Sequence, residues 1–222
     1  LLELLLKERF LLTDAPSPLR ILHVMRAPVG GLFRHVLDLA GEQARRGHLV
    51  GLVADRNATD SLTAQKLSAI EPHLRLGLSL IPMSRRPGLG DASAVRAVRG
   101  LARTLDLDVL HGHGAKGGAY ARLARPVLAR GNGRVRVFYT PHGGSLHYKP
   151  GTAAGTVFSI LERIMARLTD GLIFESDFAR QAYGHLVGEH GAPRRVIPNG
   201  LQPRDFIVSP PATDAAAFLF IG

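Results

Sequence analysis

The chain contains no cysteine. That removes disulfide frameworks, cysteine nucleophiles and thiolate metal sites together. No apolar run approaches the roughly 20 residues that span a bilayer. The dinucleotide fingerprint Gly-x-Gly-x-x-Gly is missing, as are the Lys and Ser/Thr of a P-loop. No acidic residue is clearly placed for a ribose either, so a nicotinamide dehydrogenase is a weak reading. Clustered basic residues are also lacking. The 28 Lys+Arg exceed the 18 Asp+Glu and leave a net charge of +10. That excess favours an anionic partner such as a phosphorylated substrate or a membrane surface. The arginines are scattered, with only isolated pairs at Arg45-Arg46, Arg85-Arg86 and Arg194-Arg195. With no accompanying motif, no nucleic-acid partner is expected.

What is present suffices for a core. Hydrophobic residues make up 45% of the 222 residues, enough for one generous domain or a domain plus a fragment. The first twelve residues, Leu1 to Leu12, are leucine-rich but broken by Glu3, Lys7, Glu8 and Arg9. No cleavage-like tail follows, which argues against a signal peptide. A helix packed on its own domain and an amphipathic helix lying on a membrane both remain open.

From Leu19 onward short apolar runs alternate with segments of helical period. Strands are expected at Leu19 to Met25, Leu49 to Ala54, Leu74 to Ile81, Val109 to His111, Val135 to Thr140, Gly171 to Glu175 and Arg195 to Ile197. Helices are expected after Gly31 and up to Gly47, then at Ser61 to Ile70, Ala92 to Leu105, Ala115 to Ala129, Thr152 to Leu168 and Asp177 to Val187. The alternation predicts an α/β fold, a doubly wound and mostly parallel sheet joined by right-handed crossovers.

In such sheets ligands bind beyond the carboxyl ends of the strands. Gly30-Gly31 follows the first strand and opens a helix, where backbone N–H groups attract phosphate. His111-Gly112-His113-Gly114 with Lys116 follows the fourth strand, and Thr140-Pro141-His142-Gly143 the fifth. A metal would need three or four converging ligands, and His111 is expected to point away from His113. Neutral histidines suit sugar hydroxyls better, since each offers a donor and an acceptor. Pro198-Asn199-Gly200 after the last strand reads equally as a tight turn or a ligand-facing loop.

These stretches together resemble the family 4 retaining glycosyltransferases of the GT-B fold. The likeness rests on Gly30-Gly31-Leu32, His35-Val36-Leu37-Asp38-Leu39-Ala40 and Arg45-Arg46-Gly47-His48. It continues through Asp108-Val109-Leu110-His111-Gly112-His113-Gly114, Thr140-Pro141-His142-Gly143, Asp170-Gly171-Leu172-Ile173-Phe174-Glu175-Ser176 and Val196-Ile197-Pro198-Asn199-Gly200. It implies a Rossmann-like, acceptor-side half of a GT-B fold. Gly30 and Gly31 would face the phosphates of a nucleotide-sugar donor, and His142 would sit at the reaction centre. His113, Lys116 and Asn199 would be further candidates lining the cleft. The acceptor would be a glycan or a lipid-linked molecule. The likeness implies no cofactor and no catalytic metal, in keeping with a chain expected to carry no Asp-x-Asp signature. It places the protein in the cytoplasm, with peripheral contact to the inner face of a membrane left open. A non-catalytic Rossmann-like module that binds sugar or phosphate is the alternative.

Residues 1–18 are expected as an N-terminal extension, 19–208 as the Rossmann-like domain, and 209–222 as a linker and the first strand of a further, donor-binding domain.

Overall fold

The computed structural model describes residues 17–58, 60–125, 135–143, 152–188, 192–208, 210 and 214. The leucine-rich start and the apolar run at 215–222 therefore lie outside the described residues. Seven strands form one all-parallel sheet in the order β3-β2-β1-β4-β5-β6-β7. They are β1 Arg20–Met25, β2 Leu49–Asp55, β3 Gly77–Ile81, β4 Val109–His113, β5 Arg136–Thr140, β6 Gly171–Phe174 and β7 Arg194–Val196. The connecting helices are α1 Gly30–Arg45, α2 Ser61–Ile70, α3 Gly90–Thr104, α4 Gly114–Ala124, α5 Ala153–Ala166 and α6 Asp177–Val187.

The strands are short, and the central ones are largely buried because helices cover both faces of the sheet, whereas the edge strands β3 and β7 are half-buried. On one face, Met25 of β1 packs with Val50, Leu52 and Ala54 of β2 and with Phe33, Val36 and Ala40 of α1. On the other, Leu22 and Val24 pack with Leu110, Val137, Val98 of α3 and Ala121 of α4. The glycines at 112, 117 and 118 belong to this second face. A Cβ on Gly117 would meet the carbonyl oxygen of Val24, and one on Gly118 would meet the Tyr139 ring. The glycine-rich run after β4 is thus a close-packing device that seats α4 against the sheet.

Three expectations change. Strand β3 starts at Gly77, not Leu74, because residues 71–73 form a 3-10 turn and Gly77 has φ +83°. Helix α4 ends at Ala124; the rest of the expected helix, 126–129, lies outside the described residues. Strand β4 runs on to His113. Residues two apart on a strand share a face, so His111 does not point away from His113. Their ring centroids are 4.0 Å apart.

The sheet order reverses between β1 and β4, the point at which open α/β sheets form their ligand crevice. Strand β4 runs directly into α4, β1 reaches α1 through residues 26–29, and neither α1 nor α4 has a side-chain hydrogen bond capping its first turn. Of the other helices, α2, α5 and α6 are capped by Asp60, Thr152 and Ser176, while α3 also lacks a side-chain cap. The first amides at the switch point are therefore left without a side-chain acceptor, as an anion site requires.

Candidate functional site

Five histidines meet at the carboxyl ends of β1, β4 and β5. Register sets this directly: His23 lies beside His111, Met25 beside His113, and His113 beside Thr140. His23, His111 and His113 are buried on the face covered by α1. His142 stands just beyond β5, and His35 comes down from α1 with its ring 5.0 Å from that of His142. A polar residue inside the apolar run of β1 was the available signal for His23. His35 sat within a matched motif but carried no local sign of chemistry.

The rings are linked. His23 Nε2 donates to Gln43 Oε1 at 2.7 Å. His23 Nδ1 and His113 Nε2 are 2.9 Å apart, and His113 Nδ1 and His142 Nε2 are 3.2 Å apart. His111 Nε2 lies 2.9 Å from Thr140 Oγ1. Burial lowers His23 to about 4, with the hydrogen bond to Gln43 opposing and His35 adding to the fall. Burial also lowers His142 to about 4, with His35 as the second cause. His111 and His113 fall well below the ordinary histidine value, by burial first and then by neighbouring histidines. Burial lowers His35 as well, while Glu175 and Asp38 pull the other way. The cluster is therefore uncharged at neutral pH, and every ring offers one N–H and one lone pair.

His142 has φ 49°, a left-handed backbone uncommon for a residue with a side chain. Such strain concentrates where a side chain must be aimed. Glu175, just past β6, has a buried Oε2 with no hydrogen-bond partner among the described residues. At the start of α1 Gly30 and Gly31 are exposed, and a Cβ on either would meet nothing within 4 Å. Gly30 has φ +66°, which turns β1 into α1 and favours glycine.

Two histidine triads, His23/His111/His113 and His35/His113/His142, bring nitrogen atoms within 4.8 Å of one another. Tetrahedral zinc with bonds of about 2.0–2.1 Å sets its nitrogens roughly 3.3 Å apart. The 2.9 Å between His23 and His113 is shorter and matches a hydrogen bond. One Asp-x-Asp spacing does occur, Asp106-Leu107-Asp108, but at the opposite end of β4. There Asp108 Oδ2 accepts the Arg20 N–H at 2.9 Å, which joins strand starts.

The structure brings His113 and His142 together and sets Gly30 and Gly31 at the same sheet edge. Lys116 points elsewhere: it pairs with Asp91 and donates to the Arg86 carbonyl at 3.2 Å. Asn199 is exposed beyond β7, without a link to the histidines. The segment after it returns to α1, where Gln202 Nε2 donates to Asp38 Oδ1 at 2.5 Å and Asp205 pairs with Arg34.

A parallel sheet of this order, with its crevice at the β1/β4 switch point, is a Rossmann-like α/β fold. The chain matches Glycosyltransferase Family 4 over residues 29–204 and belongs to that family. A glycosyltransferase from Rickettsia africae is similar in fold, with TM-score 0.61 and 16% identity over 85% of this chain and 48% of that one. Anabaena HepE, solved in complex with UDP and glucose, has TM-score 0.60 and 17% identity over 86% and 47%. Sucrose-phosphate synthase from Thermosynechococcus elongatus has TM-score 0.61 and 16% identity over 88% and 51%. The chain thus spans about half the length of these structures. Comparison with curated proteins by sequence gives no match. Among the described residues no helix is long and apolar enough to cross a membrane.

Proposed function

We propose that the chain is the acceptor-side half of a retaining glycosyltransferase, with a nucleotide sugar as donor and a glycan or lipid-linked molecule as acceptor. The observation that carries this reading is the neutral histidine cluster ending on His142, at the same edge of the sheet as the open Gly30-Gly31 turn. The uncapped amides of α1 face the donor's diphosphate, where charge builds as the sugar leaves; fixed N–H groups aimed there lower the barrier. His142 hydrogen-bonds the transferred sugar. The acceptor oxygen bonds to the anomeric carbon on the face from which the diphosphate departs. The carbon–oxygen bond to the diphosphate breaks, and the acceptor's proton passes to the leaving phosphate oxygen. No metal takes part. HepE bound to UDP and glucose shows that this fold accommodates such ligands in that protein.

The test is a screen of UDP-, GDP- and ADP-sugars with the full-length protein, scored by hydrolysis and then by transfer, in EDTA. One nucleotide sugar should be turned over in EDTA, with the product keeping the donor's anomeric configuration. An inverted product, or turnover that returns only with a divalent metal, would contradict the mechanism.

A further inference from the structure

We infer that Gln43, His23 and His113 form a directed hydrogen-bond relay that fixes His142 as its Nε2–H tautomer, presenting the Nδ1 lone pair to a substrate hydroxyl. The functional part of this inference rests on the proposed role of His142; the relay itself does not.

A neutral imidazole has one donor nitrogen and one acceptor nitrogen, so a row of linked imidazoles shares a single polarity. Gln43 sets it here. Its Oε1 lies 2.7 Å from His23 Nε2 and can only accept, so Nε2 of His23 carries the hydrogen. His23 Nδ1 then has only a lone pair, and His113 Nε2, 2.9 Å away, must donate to it. His113 Nδ1 is in turn an acceptor and takes the Nε2–H of His142 across 3.2 Å. The last free position is Nδ1 of His142, an acceptor. Among the described residues no hydrogen bond reaches it. The row is dry: His23 and His113 are 0% and 1% exposed, so water does not scramble the order. His111 stays outside the row, held by Thr140 and stacked on His113, and keeps the His113 ring in place.

The consequence is chemical selection. A lone pair at Nδ1 accepts from a hydroxyl and is repelled by an oxygen or fluorine that can only accept. With the opposite polarity His142 would donate and prefer a carbonyl or phosphate oxygen. Gln43, on the outer helix and touching no substrate, is thus a positioning residue.

Two-bond 15N–1H correlation spectra of the full chain distinguish the protonated from the bare nitrogen of each ring. His23, His113 and His142 should all carry hydrogen on Nε2. Two variants then set the polarity deliberately. Gln43→Glu still accepts and should keep these tautomers. Gln43→Lys, at a half-buried position, can only donate and should invert all three. It should also turn over donor at least about tenfold more slowly than Gln43→Glu, with a smaller change in KM, since the end of the row would then offer the wrong group. A wild-type His142 carrying its hydrogen on Nδ1 would overturn the relay, and so would Gln43→Lys spectra that keep the wild-type pattern in a folded protein. The wild-type spectrum decides even if the lysine variant fails to fold. Correct tautomers with no transfer activity would leave the relay standing and overturn the proposed function instead.

Discussion

Two buried polar clusters flank the sheet, and they are built on opposite principles. The histidine cluster holds five rings without charge. The other, on the opposite face, is fully charged: Arg122 of α4 makes a double hydrogen bond to Glu162 of α5 at 2.7 and 3.1 Å. Tyr139 and Tyr183 donate to the same carboxylate at 3.5 and 3.4 Å, and the Arg122 guanidinium lies over the Tyr139 ring at 3.8 Å. Arg122 and Glu162 are almost wholly buried. The pair ties α4 to α5, and Tyr139 of β5 ties both to the sheet, so among the described residues the network closes on itself. The histidine cluster ends on a strained residue with a spare nitrogen. A closed network marks structure, whereas an open-ended one marks a site.

The sharpest way to break this contrast is Glu162→Ala. It strands a buried guanidinium and should cost about 3–5 kcal/mol in urea unfolding. The loss should show in stability and not in the kcat of whatever folded protein remains. If Glu162→Ala were stable, the charged cluster would not be holding the helices.

Next comes acid. A histidine lowered to about 4 in the fold and near 6.5 when unfolded binds its proton only on unfolding. Stability is therefore complete above pH 6.5 and is lost as pH falls from 6.5 toward 4. His23 alone accounts for about 3 kcal/mol over that range. A Tm that stays flat from pH 7 to 4.5 would mean that the histidines are not held neutral by burial.

The two glycine segments give a smaller contrast. Gly117→Ala drives a methyl into the Val24 carbonyl and should destabilise by about 2–3 kcal/mol. Gly31→Ala meets nothing and should change stability by less than about 1 kcal/mol, yet raise the KM for the nucleotide sugar. A rise in KM for Gly117→Ala alone would reverse the assignment of packing and binding.

Much of the fold was legible because most strands of a buried parallel sheet read as short apolar runs between polar or turn segments. Strand β1, the helix at Ser61–Ile70 and the helix at Asp177–Val187 follow directly from that pattern. The start of β3 was not legible: Leu74, Leu76, Leu78 and Leu80 alternate as in a strand, but Leu74 is buried from the end of a 3-10 turn, ahead of the strand. His142 and His113 were legible as residues after strands. The network was not, because Gln43 meets His23 across 20 positions and His23 meets His113 across 90. The pointing of His111 and His113 could have been read correctly from the two-residue repeat of a strand. Lys116 looked like a cleft cation, and only α3 reveals that Asp91 takes it.

The most direct measurement is His142→Ala in the full-length protein, with kcat and donor affinity read separately. Loss of a hydrogen bond made to the reacting sugar should lower kcat about tenfold to a hundredfold, at 1–3 kcal/mol, while the Kd for the nucleotide alone changes less than about threefold. Unchanged turnover, or a loss that lies wholly in nucleotide binding, would remove His142 from the reaction centre.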